Sequence, residues 1–223
     1  MRVIDLSMPI APHFRWRTEV AITGDIAAGD QFRVSRLNAP CHGFSHVDAQ
    51  AHILAHAPTI EQTPLDKVVG PCRVVRLEDV AAEEEIGPER LAAADPGGAD
   101  GEILLVAAGW DTQRDRNTPE FWRHAPWLNR AAAEWLATRN PTAVAFDFPQ
   151  DYPIRLLLDR IEVPFDQHVT HDVLLRSGVT LIEYLANTRA LRDRRCLLSA
   201  APLKIPGADG APARIYAIEG LGV

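Results

Sequence analysis

The sequence predicts one α/β domain, spanning residues 1–223, with a mixed sheet and flanking helices. Three observations predict it. Two continuous apolar runs, at 102–108 and 142–148, have the pattern of central strands covered on both faces. Segments with helix start and stop signals lie between and after them. Short β-branched runs outnumber those helices, so the strand content exceeds that of a simple doubly wound sheet. A length of 223 residues is enough for one domain with a sizeable core.

Taken in order, residues 3–6 and 32–37 are expected strands leading into the His-rich segment at 42–52. Residues 72–77 are short and β-branched, hence a strand. Residues 81–94 are rich in Ala and Glu, and Pro88 is placed to open a short helix. Residues 95–101, reading Asp-Pro-Gly-Gly-Ala-Asp-Gly, form a loop by composition. After the first apolar run comes a helix that Asn129 can cap, with Ala132, Trp135 and Leu136 at spacings of three and four. It ends near Asn140-Pro141. The second apolar run carries Asp147 at its C-terminal end, where ligands often meet α/β sheets; a capping or ion-paired carboxylate fits there equally. Residues 167–177, which include His168 and His171, read as a helix closed by Gly178. Val179-Thr180-Leu181-Ile182 then runs directly into Glu183, so a helix and a short strand can bring His171 and Glu183 together. Strands at 196–200 and 213–218 flank the turn at 206–210.

Composition narrows the function. Lys plus Arg is 23 against 30 for Asp plus Glu, a net charge of −7, which argues against sequence-independent nucleic-acid binding. The one basic cluster, residues 189–195, is expected to cover the end of a helix. Cys41, Cys72 and Cys196 are too few and too scattered for a disulfide framework, so a reducing compartment is expected. Cys41 adjoins the His-rich segment as a ligand, a nucleophile or a small buried filler. The N-terminus has no signal-peptide pattern and no stretch approaches ~18 apolar residues, so a cytoplasmic protein with no membrane partner is expected.

Ligand chemistry concentrates in His42-Gly43-Phe44-Ser45-His46-Val47-Asp48-Ala49-Gln50-Ala51-His52. Neutral imidazole and carboxylate are the side chains that hold Zn²⁺, Mn²⁺ or Fe²⁺. His42, His46, Asp48 and His52 all fall on even numbers, and side chains on an extended segment alternate faces. An extended backbone therefore points all four the same way. Gly43 can bend the chain, and Phe44 shares their parity.

The pattern His-x-x-x-His-x-Asp-x-x-x-His resembles the signature of the metal-dependent cyclase family of hydrolases, which includes bacterial kynurenine formamidases and isatin hydrolases. The family's usual motif is His-x-Gly-Thr-His-x-Asp-x-Pro-x-His. The resemblance runs along nearly the whole chain. Asp5-Leu6-Ser7 followed by Trp16 is similar to the family's opening, and residues 104–110, ending Ala-Gly-Trp, to its Arg-Thr-Gly-Trp strand. His171 with Glu183 twelve residues on is similar to its second ligand pair. Pro202-Leu203-Lys204 and residues 207–214 resemble its C-terminal hairpin. In this chain Phe44 stands for the family's Gly, Ser45 for its Thr and Gln50 for its Pro. The family's Pro-Gly-Asp after Trp16 is absent, and Phe148-Pro149-Gln150-Asp151 stands where a Ser is common.

The resemblance implies a swivelling β/β/α fold assembled as a homodimer or homotetramer. It implies that His42, His46 and Asp48 hold one divalent Zn or Mn ion. In two-metal members His52, His171 and Glu183 would hold a second, with Asp48 able to bridge. In one-metal members the residue at His52 is a catalytic base instead. Ser45 keeps a hydroxyl that can donate beside the ligands, Gln50 adds an amide near the site, and Trp16 and Phe44 can wall an aromatic substrate.

The expected activity is hydrolysis of a small-molecule amide, formamide or lactam. A divalent cation lowers the pKa of its water towards ~7 and polarises a carbonyl oxygen, and the hydroxide attacks that carbonyl. His52, where it is not a ligand, takes the water proton and returns it to the leaving nitrogen. Two other readings stay open: a two-His-one-carboxylate iron oxygenase built on His46, Asp48 and His171, and a metal-binding module that has lost catalysis.

Overall fold

Both apolar runs become neighbours in the middle of a nine-stranded sheet. In the computed structural model, which describes residues 1–221, the strands are β1 (Arg2–Asp5), β2 (Glu19–Gly24), β3 (Val34–Asn38), β4 (His46–Asp48), β5 (Val69–Arg76), β6 (Glu85–Ile86), β7 (Ile103–Ala107), β8 (Trp127–Leu128), β9 (Ala143–Phe146), β10 (Thr180–Glu183), β11 (Arg195–Ser199), β12 (Gly210–Pro212) and β13 (Tyr216–Glu219). The helices are α1 (Pro88–Ala94), α2 (Pro119–Arg123) and α3 (Arg130–Ala137). Residues 222 and 223 of the expected 1–223 domain lie outside the described residues.

The main sheet runs β1-β13-β11-β5-β7-β9-β10-β4-β12. Its centre, β5-β7-β9-β10, is parallel, and antiparallel strands extend both ends, so the expected mixed sheet is present. Alternation on the central strands divides the core in two. Val75, Leu104, Val106, Val144, Phe146 and Leu181 face a layer made by Leu91 of α1, Phe121 and Trp122 of α2, and Ala132 and Leu136 of α3. Val74, Leu105, Ala145 and Ile182 face the other way, into a cluster that also holds Ile4 of β1 and Ala211 of β12. The two ends of the sheet therefore meet over one apolar face, and the sheet covers that face by curling on itself.

Local signals explain the helices. Pro88 stands at the first turn of α1, and Asn129 Oδ1 accepts the Ala132 N–H at 2.9 Å to cap α3. Residues 81–87 are not helical, because Glu85 and Ile86 pair with Trp127 and Leu128 as parallel β6 and β8. The expected helix at 167–177 is a 3-10 turn at Phe165–Gln167 followed by a π-helical turn at His171–Leu175, closed by Gly178 at φ +87°. The arginine run at 189–195 follows only a 3-10 turn, Thr188–Ala190, and then enters β11. The six-residue β2, the two-residue β6 and β8 and the three-residue β4 and β12 go beyond the expected set.

Asp147 takes the bland role. Its carboxylate accepts the Ala108 N–H at 2.8 Å, the Gly109 N–H at 2.7 Å and the Thr188 hydroxyl, which ties the end of β7 to the end of β9. Burial pushes its pKa up to about 6 against the pull of these donors.

Candidate metal centre

Strand β4 sets the centre. His46 and Asp48 point to one face of the curled sheet and Val47 to the apolar cluster on the other, as the shared parity of the two ligand-type residues requires. β10 pairs antiparallel with β4, with Glu183 opposite His46. Glu183 therefore joins the same face, and the π-helical turn brings His171 over it. His46 Nε2 lies 3.2 Å from Asp48 Oδ1 and 3.5 Å from Glu183 Oε2. His171 Nε2 lies 3.5 Å from Glu183 Oε1 and 3.7 Å from Asp48 Oδ2. Both His46 and Asp48 are fully buried, and Asp48 Oδ2 has no hydrogen-bond partner among the described residues.

That geometry fits a divalent cation. Tetrahedral ligands ~2.1 Å from a metal stand roughly 3.4 Å from one another, and the four separations above bracket that value. A buried carboxylate oxygen left unpaired at the centre is costly unless a cation or proton meets it. Two imidazole nitrogens and two carboxylates suit Zn²⁺ or Mn²⁺.

The surrounding groups fix these donors. Phe44 O lies 2.9 Å from His46 Nδ1, which turns Nε2 inward. Asp151 Oδ2 lies 2.6 Å from His171 Nδ1, while its Oδ1 accepts the Thr170 N–H at 2.8 Å. Gln150 Nε2 donates to Glu183 Oε1. A carboxylate or carbonyl behind each imidazole holds its orientation and raises its basicity.

His42 and His52 form the outer half. His42 Nδ1 lies 2.8 Å from Asp48 Oδ1. Its ring stacks on His52 with centroids 3.9 Å apart. Asp209 Oδ2 stands between them, 2.9 Å from His42 Nε2 and 3.0 Å from His52 Nδ1. Gly210 permits this packing, since a Cβ there would fall 2.6 Å from His42 Cε1 and 2.9 Å from the Val47 carbonyl. His42, Asp48 and His52 offer one group of donors and His46, Asp48 and Glu183 another, with Asp48 common to both.

Charge follows position. Burial opposes protonation of His42 and His171, but the carboxylates facing their nitrogens outweigh it, raising His42 to about 9 and His171 to about 10. Burial likewise opposes the Asp48 charge, and His46 and His42 reverse it, holding the carboxyl well below its ordinary range. Burial lowers His168.

These groups open on a cavity of about 360 Å³, walled also by Ile53, Ile154, Leu157, Phe165, His168, Tyr184 and Arg15. Trp16, Phe44 and Gln50 are not in its wall. Phe44 is buried in the core with Trp16 against it, ring centroids 4.8 Å apart, and Gln50 Nε2 donates to the Leu175 carbonyl at 3.1 Å. Ser45 spends its hydroxyl on the Tyr184 carbonyl and the Met8 N–H, both 2.7 Å away, not on a ligand. Cys41 is half-buried and outside both donor groups. Asp151, Gln150 and Asp209 were not singled out by the sequence. Asp209 sits in the Gly-Ala-Asp-Gly turn of the resembling C-terminal hairpin, and Gln150 and Asp151 in the Phe148-Pro149-Gln150-Asp151 departure from the family pattern, which could have flagged them.

A family model described as "Putative cyclase" matches residues 4–150. The chain belongs to the cyclase family. A kynurenine formamidase of Bordetella petrii is 30% identical over 209 residues, covering 92% of this chain and 86% of that protein. The solved structure of a potential metal-dependent hydrolase with cyclase activity is 26% identical, with a TM-score of 0.74 and 98% of each chain covered. Isatin hydrolase A from Labrenzia aggregata shares the fold at 20% identity and a TM-score of 0.78, covering 97% of this chain and 93% of that one. The cyclase-family match covers β4 with His46 and Asp48, and also His42 and His52 on either side of it, while His171, Glu183 and Asp209 lie beyond the matched residues.

Proposed function

We propose that this chain is a metal-dependent hydrolase of the C–N bond of a small amide, formamide or lactam, the whole chain acting as one catalytic domain. The observation that carries this reading is the buried Asp48 carboxylate, met by imidazoles on both oxygens with Glu183 opposite. His46, Asp48, Glu183 and His171 would hold one Zn²⁺ or Mn²⁺, with His42 beside Asp48. A second ion would need the group His42, Asp48 and His52. The bound cation supplies an activated water and a polarised carbonyl oxygen.

The remaining work falls to this chain's side chains. Asp209 holds Nδ1 of His52, so Nε2 is the atom that takes the water proton and returns it to the leaving nitrogen. Ile154, Leu157, Phe165 and Tyr184 give the substrate an apolar wall and limit water. The formamidase relative supports an aryl formamide as substrate. Glu183 beside His46, Asp48 and His171 makes two carboxylates, which disfavours a two-His-one-carboxylate oxygenase. His52 in the cavity wall, with the Asp209 carboxylate behind it, disfavours a module that only binds metal.

No helix among the described residues is long and apolar enough to cross a membrane. Assembly as a homodimer or homotetramer is supported by the β2–β3 hairpin, whose strands expose Val20, Ile22 and Val34 and whose connection exposes Phe32.

The test is hydrolysis of formanilide, a simple lactam and phenyl acetate by protein loaded with Zn²⁺ or Mn²⁺. Formamide turnover should vanish on chelation and return with metal. His52→Ala should cost about 10²–10⁴ in kcat with metal content unchanged. Turnover that survives metal removal, or that requires oxygen, overturns the reading.

A further inference from the structure

Glu183 ends β10 and Tyr184 follows it, and both line the same cavity. On extended backbone, consecutive side chains face opposite ways. Ile182 and Glu183 obey this: the first points into the apolar cluster and the second to the metal-binding groups. Tyr184 escapes the alternation because its φ is +56°. The left-handed region costs a bulky residue free energy, and non-glycine residues held there cluster at functional sites. Among the described non-glycine residues with positive φ, Tyr184 alone lines this cavity.

The surrounding structure holds Tyr184 in that conformation. The Ser45 hydroxyl donates to its carbonyl at 2.7 Å, and the next residue, Leu185, donates its N–H to the Phe146 carbonyl at 2.9 Å. Its buried ring is wedged among three others, with centroids 5.1 Å from Trp122, 5.3 Å from His46 and 5.7 Å from Trp16. Phenylalanine would satisfy that packing, so the phenol oxygen calls for its own account. It is the one hydroxyl in the cavity wall, and it faces the Glu183 carboxylate. The rings of Tyr184, His46, His42 and His52 form a row with neighbouring centroids 5.3, 5.3 and 3.9 Å apart. The phenol and the proton-carrying His52 therefore stand at opposite ends of that row.

We propose that Tyr184 is a catalytic residue whose hydroxyl donates a hydrogen bond to the carbonyl oxygen of the scissile amide as that oxygen gains charge. The water oxygen bonds to the carbonyl carbon, and the carbonyl π pair moves onto oxygen, where the Tyr184 O–H meets it and keeps its own proton. His52 takes the water proton and passes it to the nitrogen. The pair then re-forms the carbonyl as the C–N bond breaks, leaving a carboxylic acid and an amine. A rigid donor aimed at the charge that develops stabilises the transition state more than the ground state. This role rests on the hydrolase reading.

The test is Tyr184→Phe in metal-loaded protein, with formanilide and 4-nitroformanilide as substrates and metal content measured on the same preparation. The kcat should fall about 100-fold on both substrates, with KM and bound metal unchanged. Tyr184→Asn, at ease in the left-handed region and without the reach of the phenol, should show the same loss. It serves as the second variant if Phe perturbs folding, which circular dichroism reports. An unchanged kcat overturns the proposal. So does a loss confined to formanilide, which would place the hydroxyl at the leaving nitrogen, or a loss that tracks metal content, which would make it a support for Glu183. A wild type that turns over neither formamide overturns the hydrolase reading, and this role with it.

Discussion

His171 Nδ1 lies 2.6 Å from Asp151 Oδ2, and both residues are buried. Asp151 also accepts the Thr170 N–H, so it grips the backbone just before the π-helical turn as well as the ring. Nε2 is thereby aimed at Asp48 and Glu183. Asp151→Asn keeps the shape and removes the charge behind the imidazole. Metal affinity should fall about 10- to 100-fold, measured by competition with a chromophoric chelator. Unchanged affinity would mean that His171 is not a ligand.

Protons and metal compete for the same nitrogens. In metal-free protein His42 and His171 titrate at about 9 and about 10, above the ordinary 6.5. Groups whose folded pKa is raised bind protons more tightly in the folded state, so their stabilisation is complete below about pH 6.5 and lost as pH climbs towards 9–10. Asp48 has the opposite sign: its pKa is depressed, and its contribution disappears as pH falls below its ordinary 3.8. Metal-free protein should therefore melt highest between about pH 4 and 6.5, losing about 2–4 °C for each kcal/mol lost above that window. Metal-loaded protein should not show the alkaline decline, and metal uptake at pH 7 should release protons, read by calorimetry in buffers of different ionisation enthalpy. Uptake with no proton release contradicts this assignment of charge.

Gly210 is where strand β12 makes room for His42. A Cβ at this position meets the His42 ring at 2.6 Å and the Val47 carbonyl at 2.9 Å, and the second of these is backbone of β4 and cannot swing aside. Gly210→Ala should cost about 1–3 kcal/mol of stability by overpacking and weaken metal binding together with it. Thermal melts with and without metal check both; full metal affinity in the variant would place His42 outside the centre.

The proposed inner ligands were legible because their signal is local or periodic. Even numbering placed His46 and Asp48 on one face, and β4 is extended over that very pair. His171 and Glu183 were legible as a helix and a strand joined by Gly178, though only the pairing of β10 with β4 brings them in. Phe44 illustrates what spacing cannot say. It has φ +58° where the family carries Gly, so the backbone there needs the left-handed region, and the aromatic ring goes into the core instead of the cavity. Asp151, Gln150 and Asp209 reach the site from loops 20 to 157 residues from their partners. Contacts of that separation leave no periodicity to read.

The β2–β3 ribbon pairs only with itself in the described sheet order, and a lone two-stranded ribbon is marginal in water. Val20 and Leu37 are cross-strand partners on one face, 60% and 50% exposed. Replacing them together, Val20→Glu with Leu37→Lys, keeps a favourable cross-strand pair and removes the apolar face. Light scattering should give the wild type a multiple of 24.6 kDa and the variant a single chain mass. A monomeric wild type would count against assembly through this ribbon.

Asp209 separates the two possible duties of His52. Its carboxylate lies 3.0 Å from His52 Nδ1 and is half-exposed, so it can orient the ring and support a proton on it without belonging to the buried ligand set. Asp209→Asn retains an oxygen to accept from Nδ1 and removes the charge. If His52 moves protons, kcat on formanilide should fall about 10- to 100-fold while KM and bound metal hold steady. If His52 is a ligand, the same substitution should lower metal content, because a carboxylate behind a ligating imidazole raises its basicity. Turnover and metal analysis on one preparation distinguish these outcomes, and the proton-transfer role requires the first.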